Sequence, residues 1–334
     1  LLFRLSLKLY EYVVRLIGCV GIDYFCKAFE STSLPEKTSA FVGLHILIPF
    51  RDRWDLTRIC LEALRKQNLG QISCHVHLID NGSSPGTRAQ IRNWLQQERG
   101  SPLEYTVHEI DEPFNFSRLC NLGLKLSRSL KNQDLLLFLN NDVVLENSNS
   151  LAQSAAFVSQ TSGCGAVGIT LLFPNRRIQH VFAAPGVKIV AAHPFKGRHP
   201  SILREWKMRA RQVPAVTGAF LLLSAENFLK VGGFDENLPT AGQDIDLCLK
   251  LQKAGLKNWV LPHIEAVHWE SASRKHSRIN FDEVRYIYSK WRSFLTQNPE
   301  YPVNISRFSE QPARVFWKEG DYPIEKLRSV RGKA

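Results

Sequence analysis

From residue 42 to residue 140 the chain alternates between short apolar runs and longer segments whose apolar residues recur at helical spacing, and few folds accommodate that rhythm. "VGLHILIP" (42–49), "SCHVHLID" (73–80), "LEYTVHEI" (103–110) and "LLLFLN" (135–140) read as strands. Between them "WDLTRICLEALRKQ" (54–67), apolar at 56, 59, 60, 61 and 64, then "TRAQIRNWLQQ" (87–97) and "SRLCNLGLKLS" (117–127) read as helices. Strands separated by helices predict an α/β domain with a mixed, mostly parallel central sheet flanked by helices on both faces. Such sheets bind ligands at the carboxyl ends of their strands. Asp80 and the run Asn140, Asn141, Asp142 fall at those ends, the latter within "DLLLFLNNDVVLE" (134–146), where a carboxylate stands at the tip of an apolar strand.

A chain of 334 residues, 44% hydrophobic, has enough apolar content for a large folded core. It begins Leu-Leu and holds one methionine, Met208, which suggests part of a longer polypeptide. The excess of 43 basic over 31 acidic residues, a net +12, favours anionic partners: nucleic acid, an acidic membrane face or phosphorylated small molecules. A basic solvated surface is the plain alternative. Cysteines 19, 26, 60, 74, 120, 164 and 248 are odd in number and form no C-x-x-C pair, which argues against a disulfide framework or zinc ribbon and for a reducing cytoplasm. The triplets starting at Asn81, Asn115 and Asn304 match a glycosylation acceptor and are discounted in that setting.

The first forty residues are apolar and basic, but Arg4, Lys8, Glu11, Arg15 and Asp23 break them too often for a spanning helix. They predict an N-terminal amphipathic helix that lies on a membrane surface or packs on a neighbouring domain, with 31–39 as linker. "GCGAVG" (163–168) satisfies the dinucleotide pattern, yet a helical segment precedes it and a strand follows, the reverse of what that site needs. In the second half "AVTGAFLLLS" (215–224) reads as a strand, "AENFLKVGG" (225–233) as a short helix and "DIDLCLKLQKAG" (244–255) as a helix with Asp244 at its start. An acid there also stabilises a helix N-terminus, by under about 1 kcal/mol when exposed.

In order along residues 44–308, "ILIPFRDR", "HLIDNGS", "FNFSRLCNLGL", "LFLNNDVVL", "AVTGAFLL", "VGGFDENL", "GQDIDLCLKL", "HWESASR" and "NPEYPVNIS" resemble the inverting family-2 glycosyltransferases of the GT-A fold, especially bacterial enzymes of O-antigen and capsule polysaccharide assembly. The resemblance implies a catalytic domain over 41–308, after an N-terminal segment (1–40) and before a tail (309–334). It also implies a nucleotide-sugar donor (UDP or dTDP), a lipid-linked or oligosaccharide acceptor, Mn2+ or Mg2+ and no nucleic acid. Localisation would be cytoplasmic, peripheral on the inner membrane face or against neighbouring domains.

By that resemblance Asp142 is the metal-holding end of a D-x-D element in which Asn140 replaces the first acid, and His268 is a further metal ligand. A nitrogen ligand would favour manganese over magnesium. Pro49, Arg51, Asp52, Asp80, Asn81, Asn140 and Asn141 would hold the nucleotide-sugar. Asp244 would be the catalytic base, after Gln243 in place of the usual acid; Asp246, roughly 200° further round the helix, is the weaker candidate. The basic, aromatic segment 176–214, with His193, Lys196 and Trp206 (Phe195 beside them), would form a lid or acceptor platform together with Gly218. "FDEVRYIYSKWRSFL" (281–295) reads as core packing. Two alternatives stay open: a catalytically silent GT-A domain that binds glycan or scaffolds a partner, and a basic nucleic-acid-binding protein.

Overall fold

The computed structural model describes residues 29–34, 43–98, 100–127, 130–187, 190–269 and 280–301. The expected N-terminal amphipathic helix and the C-terminal tail lie outside the described residues. The described strands are β1 (Ser31–Thr32), β2 (Gly43–Phe50), β3 (Ser73–Asp80), β4 (Leu103–Glu109), β5 (Leu135–Leu139), β6 (Val143–Leu145), β7 (Cys164–Leu172), β8 (Ile178–His180), β9 (Ala184–Pro185), β10 (Ala191–Ala192), β11 (Ala210–Gln212), β12 (Phe220–Ser224) and β13 (Lys257–His268). The α-helices are α1 (Trp54–Arg65), α2 (Pro85–Gln97), α3 (Phe116–Leu126), α4 (Ser150–Gln160), α5 (Ala225–Lys230), α6 (Gln243–Lys253) and α7 (Phe281–Thr296).

The main sheet runs β1-β11-β13-β7-β12-β5-β2-β3-β4, with β6 on β13 and β8 on β7. From β5 to β4 it is parallel, as is the β7–β13 pair, while β12 runs antiparallel between β5 and β7. The unbroken apolar run of β5 is explained by its central place. Leu136 and Phe138 join the core beneath α3 and α6, whereas Leu135, Leu137 and Leu139 join the core beneath α1 and α4. A strand covered on both faces has no polar side to alternate with.

Three readings of the sequence change. Ser31 and Thr32, expected to be linker, pair with Arg211 and Ala210 as an edge strand, and Phe29 before them is buried against Phe182 and Trp206. Gly165 and Gly168 of "GCGAVG" lie inside β7, where they admit close neighbours. A Cβ at Gly165 would come within 2.7 Å of Asn258 Oδ1, and one at Gly168 within 2.7 Å of Val216 Cβ. In "AVTGAFLLLS" only Phe220–Ser224 is strand: Ala215 makes an isolated bridge to Ala183, and Gly218 and Ala219 form the turn that enters the candidate site.

Trp206, expected on the lid, is instead wholly buried among Phe29, Phe182 and Phe195, and Phe195 is as deep. Its large ring surface stabilises the fold. Trp206→Ala is accordingly expected to lower unfolding free energy by about 3–5 kcal/mol in a denaturant titration.

Candidate active site

The turn after β5 is bound from three sides. Asn140 N–H donates to Ala219 O at 3.0 Å, its carbonyl accepts from Cys60 Sγ–H of α1, and Asn141 Nδ2 donates to Thr57 Oγ1 at 2.9 Å. The chain then turns back as β6, which pairs antiparallel with the end of β13, His268 opposite Val143. That register places Asp142 beside His268, and Trp269 N–H closes the corner on Asp142 O at 3.1 Å.

Asp142 Oδ1 lies 3.1 Å from His268 Nε2, both side chains about nine-tenths buried. Gln179 of β8 fixes the tautomer of that ring. Its Nε2 donates to the His268 carbonyl at 3.3 Å, so its Oε1, 2.6 Å from Nδ1, must accept the ring N–H. In the neutral ring the lone pair on Nε2 then faces the carboxylate, with Asn140 Nδ2 at 3.3 Å as a weak donor. Two electron-rich atoms held this close call for a cation or proton between them. Donors 3.1 Å apart subtend roughly 90–95° at an ion with bonds of about 2.1–2.2 Å, an angle suited to octahedral coordination. The pair fits a divalent ion.

Asp244 is in the first turn of α6, half-buried. Its Oδ2 accepts Gly218 N–H at 3.0 Å and its Oδ1 accepts Ile245 N–H at 2.8 Å. Gly218 immediately precedes Ala219, whose carbonyl holds Asn140. A short path of neighbouring groups thus joins Asp244 to the Asp142–His268 pair near the carboxyl end of β5. Asp246 diverges as its helical offset predicts. It is buried, accepts Trp291 Nε1–H at 2.7 Å and pairs with Lys290 and Lys250.

The loops after β2 and β3 are stitched together. Asp52 N–H donates to Ser83 Oγ at 2.8 Å, and Asp52 Oδ1 accepts from Ser84 N–H (2.9 Å) and Thr87 Oγ1 (3.0 Å). The Ser84 donors are the main reason the Asp52 carboxyl stays below the usual carboxylate range. Arg51 is exposed and Pro49 half-buried beside it. Asp80, by contrast, is wholly enclosed. Oδ1 accepts Ser83 N–H and Oδ2 pairs with Arg88 at 2.7 Å, so it shapes the loop rather than offering a free carboxylate. Asn81 is also buried, its Nδ2 tying down the carbonyls of Ile110 and Glu112.

In the segment expected as lid, His193 is half-buried with Nδ1 2.8 Å from His180 Nδ1, and Lys196 Nζ stands 5.7 Å over the Phe173 ring. Gly218 serves through its backbone N–H. The sequence reading missed Gln179 and Glu283. Glu283 of α7 accepts from Thr240 N–H, Thr240 Oγ1–H and Ala241 N–H, anchoring the loop that delivers Asp244. The segment read as core packing therefore positions the site as well. An acid in a helix carries no sequence mark of such a role.

Residues 47–282 match the family described as "Glycosyltransferase like family 2". The chain is 34% identical over 272 residues to the uncharacterised protein y4gI of Sinorhizobium fredii, covering 78% of this chain and 29% of that protein. It is 33% identical over 257 residues to the O-antigen biosynthesis protein RfbC of Myxococcus xanthus, covering 75% and 19% respectively. The chain thus spans under a third of the length of either relative. Among solved structures, GalNAc-T7 with UDP, GalNAc and Mn2+ superposes at TM-score 0.61 with 15% identity, covering 88% of this chain and 55% of that one, which bears on fold alone. With a family match over most of its length and a GT-A sheet to carry it, the chain belongs to glycosyltransferase family 2.

Proposed function

We propose that this chain is the catalytic domain of a metal-dependent inverting glycosyltransferase that moves a sugar from a UDP- or dTDP-sugar to a lipid-linked or oligosaccharide acceptor in cell-surface polysaccharide synthesis. The observation that supports this reading is the chain of contacts that links Asp244 to Asn140, Asp142 and His268 through Gly218 and Ala219. The likeness to an O-antigen biosynthesis protein supports the polysaccharide setting. No described helix is long and apolar enough to cross a membrane, and the net charge of +12 supports a peripheral place against an anionic, cytoplasmic membrane face.

Asp142 and His268 Nε2 would hold Mn2+ or Mg2+, which when bound neutralises charge on the departing diphosphate. Pro49, Arg51 and Asp52 border the nucleoside, on a loop whose shape Asp80 and Asn81 set. Asn140 and Asn141 orient the sugar and its diphosphate from the turn they share with Asp142. The acceptor oxygen attacks the anomeric carbon opposite the leaving group, the bond from that carbon to the diphosphate oxygen breaks, and the hydroxyl proton passes to Asp244. Backbone donors from Gly218 and Ile245 leave each Asp244 oxygen one lone pair and fix its direction. His193 and Lys196 border the acceptor side.

Thermal unfolding with a panel of nucleoside diphosphates tests this. UDP or dTDP near 100 times its Kd is expected to raise Tm by about 4–8 °C in Mn2+ and by far less in EDTA. If no nucleoside diphosphate shifts Tm and an oligosaccharide does, the silent glycan-binding reading replaces this one.

A further inference from the structure

Strands β2, β3 and β4 carry on one face a group of histidines that the proposed sugar transfer does not use. His45 on β2 is in register with His75 on β3 and with Leu136 on β5, six residues before Asp142, so these two histidines lie roughly 15–20 Å from Asp142. His45 Nδ1 is 3.0 Å from His77 Nε2, and His77 Nδ1 is 3.1 Å from His108 Nε2. The His75 ring stacks on that of His77 with centroids 4.2 Å apart. One ring nitrogen each from His45, His75 and His77 falls within 4.8 Å of the other two.

Packing alone gives no reason for this set. The same face carries Leu47 and Ile79 one alternation further along, and His45 and His77 are more than nine-tenths buried. Burial holds all four imidazoles below the usual histidine range, His77 at about 3 with further lowering from its histidine neighbours. They are therefore neutral and carry available lone pairs. A carboxylate orients the set from behind. Asp134 Oδ2 is 3.4 Å from His45 Nε2, and Asp134 is itself held by the backbone N–H groups of Gly43 (3.2 Å) and Lys131 (2.7 Å). A ring N–H on the Asp134 side leaves His45 Nδ1 as a lone pair aimed at His77, the carboxylate–histidine arrangement that accompanies metal ligands.

We propose that His45, His75 and His77 form a second metal site, distinct from the Asp142–His268 pair, for a divalent first-row transition ion that prefers nitrogen ligands, with Zn2+ as the probe. An all-imidazole set suits Zn2+ rather than the hard ions of an oxygen site. Without metal, the rings form a hydrogen-bonded relay from Asp134 to His108. Binding moves the His77 proton from Nε2 to Nδ1 and that of His108 from Nε2 to Nδ1, with no net proton release. Two lone pairs then meet between His45 and His77. His75, its side chain 20% exposed, supplies the third by turning away from Thr106 Oγ1, now 2.7 Å from its Nε2, and that exposed edge is the way in. The bound ion would staple β2 to β3.

Zinc content after equilibration and gel filtration tests the site on the full chain, in the wild type, His75→Gln and Asp142→Asn. The wild type is expected to hold one more zinc per chain than His75→Gln, and Asp142→Asn to keep that zinc. Zinc should raise Tm in the wild type and in Asp142→Asn but lose that extra increment in His75→Gln. Asp134→Asn should weaken the extra zinc by about tenfold or more. His45→Gln gives the same readout should His75→Gln fold poorly. Equal zinc in the wild type and both histidine variants would overturn the proposal and leave only the hydrogen-bonded relay. Retention of the Mn2+-dependent UDP shift in His75→Gln separates this outcome from the fate of the sugar-transfer reading.

Discussion

Asp244→Asn is expected to lower the rate of sugar transfer by about 10²–10⁴-fold while leaving folding and donor affinity nearly unchanged. The asparagine has the same shape, and its one carbonyl oxygen can keep the bond to either Gly218 N–H or Ile245 N–H. Its amide group cannot accept the other, a loss of about 1 kcal/mol in stability. It also cannot take the acceptor proton, so the effect belongs in turnover rather than in binding. The measurement is kcat for transfer, or for donor hydrolysis when no acceptor is known, in saturating Mn2+. A helix-capping acid with no chemical role would leave that rate within about fivefold, since such a contact is worth under about 1 kcal/mol.

The second large effect is expected at the carboxylate facing His268. Asp142→Asn keeps the side chain's volume and removes the charge set 3.1 Å from Nε2. Metal-assisted departure of the diphosphate contributes several kcal/mol, so the variant should lose about 10²–10³-fold in activity. It should also lose the affinity of a nucleoside diphosphate that depends on Mn2+. EDTA should bring the wild type down to the variant's rate and leave the variant where it was. Gln179 acts on the same lone pair from the other side of the ring, through Nδ1.

What the sequence disclosed, and what it hid, follows from how local each determinant is. The strands and helices of the first half are legible because their burial is periodic or, in β5, continuous; their ends agree with the structure to within two residues. The turn Asn140–Asp142 is marked by the abrupt end of an apolar run. The nearness of His268 to Asp142 has no local mark. It arises from antiparallel pairing of β6 with β13, two segments more than a hundred residues apart, and was reached only by resemblance. Trp206 shows the reverse difficulty. In a run rich in Arg and Lys it looks like a surface aromatic, yet Phe29, from a distant part of the chain, covers it. Asp80 was placed at the right strand end, but its enclosure depends on Arg88 one turn into the next helix. The histidine group of β2 and β3 is spread over two strands and shows itself only once their register is known.

Asp142 and Asp244 are expected to divide the labour between metal and acceptor proton, and calorimetric titration of UDP in the presence of Mn2+ tests this most directly. The wild type and Asp244→Asn should bind with affinities within a few-fold of each other, whereas Asp142→Asn should bind at least about a hundredfold more weakly. Undiminished binding by Asp142→Asn, or a loss in Asp244→Asn as large as that expected for Asp142→Asn, would contradict it.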